Sequence, residues 1–234
     1  MAEYFNHIVF GWYPYVCLTV FIIGSILRFE HAQYSWRSGS SQMLRKKQFR
    51  IGSNLFHFGI LFLFFGHLFG LLTPTAIYTK FITVEQKQML AIVAGGIAGT
   101  ACFIGLSMLV HRRLFDARVR RASTFNDTAI LLILWVQLTI GLVTIPLSLE
   151  HADGEVMLRL SHWAQGIWTL NPSVSKEIMG LAWPYQVHLI LGMTIFLLTP
   201  FSRLVHVFSA PVWFLGRKGY QLVRTKRPST TPAE

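Results

Sequence analysis

The chain has 234 residues, of which 53% are hydrophobic and only 13% charged. Soluble domains carry about 25% charged residues, so an ordinary water-soluble fold is excluded. The net charge of +11 would suit nucleic-acid binding, but the basic residues lie between apolar runs and at one end, so membrane topology accounts for them and no nucleic acid is needed.

Five apolar stretches, near 5–27, 54–72, 89–110, 128–148 and 185–208, are each long enough to cross a hydrocarbon layer, which takes about 20 helical residues. Backbone groups in lipid must be satisfied within the segment, so each is expected to be a helix. The first stretch has Glu3 but no Lys or Arg before it, and no small-residue cleavage site after it. It therefore reads as a retained span, not a removed signal. A basic loop from Arg28 to Arg50 leads to the second stretch, which carries His57 and His67. The third begins after Glu85-Gln86-Lys87-Gln88 and ends at a second basic loop with Arg112, Arg113, Arg118, Arg120 and Arg121. The fourth has no histidine in its interior. The segment from Leu147 to Trp183 is mixed in composition and is expected to hold one short interfacial helix, Val156 to Thr169. The fifth stretch carries His188 and His206, and the tail 225–234 has the composition of a disordered segment.

Seventeen Lys and Arg fall in the two basic loops and the C-terminal part, against four (Lys80, Lys87, Arg159 and Lys176) on the other side. The positive-inside rule then puts the N-terminus outside and the C-terminus in the cytoplasm. The expected fold is an all-α integral membrane protein with five transmembrane helices, one domain over 1–224. The two cysteines, Cys17 and Cys102, lie in apolar runs, and no CxxCH or four-cysteine pattern occurs. Covalent haem and an iron–sulfur cluster bound by this chain alone are excluded.

An ionisable side chain inside a span is costly and points to function. His57, His67, His188 and His206 make two pairs on two spans, which is what two bis-histidine haems require. The second and fifth spans run in opposite directions. His57 and His206 both lie beside basic segments, and His67 and His188 both lie toward the outer face. The expected pairs are therefore His57 with His206 (inner) and His67 with His188 (outer). His188 and His206 are 18 residues apart, five helical turns, whereas His57 and His67 are 10 apart and about 80° out of line. Pro200 can kink the fifth span between its two histidines. Arg203, one turn before His206, suits a haem propionate or a snorkelling interfacial role; Arg113 has the same two readings. Lys87 reads as an interfacial lysine, or as a cation able to hydrogen-bond a quinone oxygen.

Several stretches carry a resemblance: Ser40-Ser41-Gln42-Met43-Leu44, Ser53-Asn54-Leu55-Phe56-His57, Gly66-His67, Leu72-Thr73-Pro74, Arg112-Arg113-Leu114-Phe115, Leu191-Gly192-Met193-Thr194, Pro200-Phe201-Ser202-Arg203-Leu204 and Tyr220-Gln221-Leu222-Val223-Arg224. With them the chain resembles the gamma (cytochrome b) subunit of membrane-bound respiratory nitrate reductase. The resemblance implies a prokaryotic cytoplasmic membrane and the same two b-type haem pairs. It implies quinol oxidation beside the outer haem, where Gly66, His67 and Lys87 match positions of the family's quinol pocket. It also implies transfer through the inner haem to an iron–sulfur beta subunit and then a molybdenum alpha subunit that reduces nitrate. A dihaem anchor of another reductase, for a sulfur compound or a heterodisulfide, would use the same residues. A haem-free anchor or proton-coupled transporter is the alternative from a different class.

Overall fold

The computed structural model describes residues 1–36, 44 and 46–209. The Ser40–Met43 motif and the tail 225–234 lie outside the described residues. The fold is all-α, with no strand among the described residues. Five helices are long and apolar enough to span a membrane: α1 (Glu3–His31), α2 (Lys46–Leu72), α3 (Val84–Phe115), α4 (Phe125–Glu150) and a fifth over Trp183–Phe201. Between α4 and the fifth span lies α5 (Glu155–Trp168), at nearly the place expected for the interfacial helix.

The helices run past the apolar cores because their ends are set by capping, not by hydropathy. Thr83 and Gln86 form a reciprocal capping box at the start of α3, and Thr124 and Asp127 form one at the start of α4. Each satisfies two backbone N–H groups that the first turn leaves without partners.

Two irregular places matter. Within α1, Ile8–Trp12 is a π-turn, a feature that displaces the regular hydrogen-bond ladder. The Phe10 carbonyl there accepts from Trp163 Nε1 at 2.8 Å. Phe10 and Trp163 belong to the main buried cluster with Ile167, Ile178, Leu181 and Tyr185. The core therefore sits under α5, where the segment 150–183 is packed onto α1. His7 lies in α1 and meets the Ser175 hydroxyl at 3.2 Å.

The second irregular place corrects an expectation. The fifth span is not one helix over 185–208. Its α-helical part, α6 (Trp183–Leu198), gives way to 3-10 turns at Thr199–Phe201. Ser202 is extended (φ −123°, ψ −178°), and a second 3-10 segment, Arg203–Ser209, carries His206. Pro200 has no N–H to continue the ladder.

Backbone packing follows an arc: α2 on α3, α3 on α4, α4 on α6, and α6 on α1. Small residues set the close approaches. A Cβ on Gly59 would lie 2.6 Å from Cys102 Cβ, one on Gly99 2.9 Å from Leu142, and one on Gly24 3.0 Å from Pro200. α2 and α6 scarcely touch along their backbones; they meet through histidine rings.

Candidate functional site

His57 faces His206 with ring centres 6.2 Å apart and planes at 69°. His67 faces His188 at the same 6.2 Å, with planes at 36°. All four Nδ1 atoms are tied to backbone carbonyls: His57 to Ser53 O and His67 to Leu63 O, each at 2.7 Å, His206 to Arg203 O at 2.7 Å, and His188 to Gln137 O at 3.1 Å. A carbonyl only accepts, so Nδ1 donates and Nε2 keeps its lone pair. This is the tautomer that metal-binding histidines are given by their outer partners. A metal–imidazole bond is about 2 Å and the ring centre lies about 1.1 Å behind the nitrogen, so two imidazoles holding one metal from opposite sides would have centres roughly 6.3 Å apart. Both pairs fit that spacing. Among the described residues no group of three or more His, Cys, Asp or Glu could hold a metal ion; each pair offers two imidazole nitrogens.

His188 differs from the other three: its Nδ1 partner comes from another helix. Gln137 of α4 also donates from Nε2 to the His188 carbonyl at 3.0 Å. One turn along, a Cβ on Gly141 would lie 2.7 Å from His188 Cε1. The ring thus leans on the bare backbone of α4. Neither residue was singled out from sequence. Gln137, an amide in the middle of an apolar span, was the available signal; the role of Gly141 is purely tertiary.

The glycines near the histidines divide by surroundings. Gly59 is occupied with packing against α3, whereas a Cβ on Gly66, Gly70 or Gly95 would meet nothing within 4 Å. Gly66 adjoins His67, at the end of α2 that leads toward α3. Lys87, in the first turn of α3, lies at the same end of the bundle. It is buried, at 8% exposure. Its Nζ sits 3.7 Å over the Tyr78 ring and has no hydrogen-bond partner among the described residues.

At the opposite, basic end, Asp127 lies between two arginines. Its carboxylate is 3.3 Å from Arg203 Nε and 3.7 Å from Arg113 Nη1. Arg113 also donates to Ser123 Oγ at 2.9 Å. Two cations share one carboxylate, which leaves this end net positive.

The chain matches the sequence profile described as nitrate reductase gamma subunit over residues 6–226. The chain belongs to that family. It is 50% identical to the respiratory nitrate reductase 2 gamma chain of Escherichia coli K12 over 97% of this chain and 100% of that one. It is 48% identical to the respiratory nitrate reductase 1 gamma chain of the same organism, over 96% and 99%. The nitrate reductase gamma chain of Bacillus subtilis 168 is 37% identical, over 91% and 95%. With its five apolar helices, this gamma-family member is a multi-pass protein of the bacterial inner membrane. A gamma chain is one subunit of an oxidoreductase complex, so other nitrate reductase subunits are its partners.

Proposed function

We propose that this gamma-family chain oxidises quinol near the outer face of the membrane and delivers the electrons, through two b-type haems, to an iron–sulfur beta subunit and a molybdenum alpha subunit that reduces nitrate. His67 and His188 would hold the outer haem, and His57 and His206 the inner one. The charge bias supports an N-terminus outside and a C-terminus in the cytoplasm. One observation carries the reading: two imidazole pairs at 6.2 Å, every Nδ1 fixed by a carbonyl. Bound there, the haems supply one-electron redox chemistry between a two-electron quinol and a cytoplasmic acceptor.

The chain's own residues do the rest. Lys87 offers a buried ammonium whose Nζ lacks an acceptor among the described residues. A quinol oxygen hydrogen-bonded to it has its developing negative charge stabilised as the proton leaves toward the outside. The open face at Gly66 lets a flat ring approach beside His67. Arg203 and Arg113 would hold the carboxylate groups of the inner haem, with Asp127 offsetting part of their charge.

Alanine at His67 or His188 should remove the outer haem's optical and EPR signals from the assembled complex while the inner haem stays. Alanine at His57 or His206 should do the reverse. Retention of both haems in any of the four variants overturns the assignment.

A further inference from the structure

The break after α6 leaves backbone carbonyls without the helical partners that a continuous span would give them. Several of the backbone groups there are met by side chains. Thr199 Oγ1 donates to Ile195 O at 2.8 Å. Arg28, from α1, donates through Nη1 to Pro200 O at 2.6 Å and to Ser202 O at 2.7 Å. Ser202 Oγ accepts from Leu204 N at 3.2 Å.

The rest of the Arg28 fork reaches the turn that follows α1: Nε to Ser35 Oγ at 3.1 Å and Nη2 to Ser35 O at 2.7 Å. That turn continues into Trp36, whose Nε1 donates to Ser209 Oγ at 2.7 Å. Phe208 packs against Trp36 and Phe21. The segment Arg203–Ser209 is thus gripped at both ends by α1 and its turn. Gly24 lets α1 come close enough, since a Cβ there would meet Pro200 at 3.0 Å. An arginine serving only the positive-inside bias would extend toward water. Here the planar fork is used on the broken end of another helix.

We propose that Arg28 is a positioning residue for His206: it clasps the broken end of the fifth span and so fixes where the imidazole that would hold the inner haem is presented. The inference rests on the two-haem reading. Lysine keeps the charge but not the fork, so it cannot hold Ser35 and both carbonyls in one plane.

The test uses the assembled complex in membranes, comparing R28Q, R28K and wild type for haem-to-protein ratio, EPR signals and reductive titration of each haem. Outer-shell partners contribute roughly 10- to 100-fold to metal-site affinity. Arg28 acts one step further out, through the Pro200 and Ser202 carbonyls, so R28Q should lower inner-haem retention by up to about tenfold and leave the outer haem unchanged, with R28K in between. Trp36→Phe, which removes the tie to Ser209 and trims the ring packed on Phe208, should shift the inner haem's EPR signal at full haem content, and serves if R28Q fails to assemble. An inner-haem signal identical to wild type in R28Q or W36F overturns the proposal. So does an equal loss of both haems in R28Q, which would mark a general folding lesion. A wild-type complex without b-type absorption would instead sink the two-haem reading itself.

Discussion

Gly141→Ala tests the outer pair without touching a histidine. The added Cβ would lie 2.7 Å from His188 Cε1 and 3.3 Å from Nδ1. Non-bonded carbons sit at about 3.5–4.0 Å, so ring and helix must part by roughly 1 Å. A metal–ligand distance tolerates only about 0.2 Å. The imidazole cannot keep both its contact with α4 and its place opposite His67. Overpacking of this kind costs about 1–3 kcal/mol, which is roughly 5- to 150-fold in outer-haem retention. Alanine in a helix interior is favoured over glycine by about 1 kcal/mol, so α4 itself should not be weakened. Reduced-minus-oxidised spectra and EPR of the purified complex would show the outer haem depleted or shifted and the inner haem intact. The two ring pairs cross at different angles, 36° and 69°, so haems held by them would be expected to give separate low-spin signatures. An outer haem with wild-type content and spectrum would refute the reasoning, because His188 could then not be held where the structure puts it.

Lys87→Met keeps the volume and removes the cation. Quinol-driven turnover should fall by roughly 10- to 150-fold, the loss of a charged hydrogen bond of about 1.5–3 kcal/mol, while both haem spectra stay unchanged; equal turnover with wild type would exclude a role at the quinol. Gly59→Ala and Gly66→Ala should part company. The first drives a methyl group to 2.6 Å from Cys102 Cβ and 2.9 Å from its Cα, and should lower the melting temperature by an amount matching about 1–3 kcal/mol. The second meets nothing within 4 Å, should melt at or above the wild-type temperature, and should raise the KM for quinol; thermal melts in detergent and steady-state kinetics would check both.

The five spans were legible because lipid imposes one requirement, about 20 apolar residues per crossing. The helix ends were legible in principle too: Thr83 with Gln86 and Thr124 with Asp127 are capping-box spacings, and hydropathy alone passes over them. The histidines were legible because an imidazole in a span is rare, and antiparallel direction settles which rings come together. Glycine spacing misleads. Gly52, Gly59 and Gly66 recur every seven residues and share one face of α2. The first two meet α3 closely, yet Gly66 faces open space, since packing depends on how the helices diverge. Gln137, Gly141 and Asp127 act through residues 51, 47 and 76 positions away in sequence, and no local pattern links them.

The break in the fifth span resolves a mismatch that the sequence left standing. Ten helical residues from His57 to His67 rise about 15 Å, and eighteen from His188 to His206 would rise about 27 Å. Two straight helices could not bring both pairs to the same spacing. α6 runs ten residues from His188 and then stops at Leu198, after the same rise that separates His57 from His67. The eight residues that remain include two 3-10 stretches and the extended Ser202. They turn the chain instead of lengthening it, and His206 is returned to the depth of His57. Regular helix through Pro200 would carry His206 roughly 12 Å beyond its partner. The irregular segment, and the arginine that satisfies its carbonyls, is thus what allows two histidine pairs with unequal spacing in the sequence to close at one distance in space.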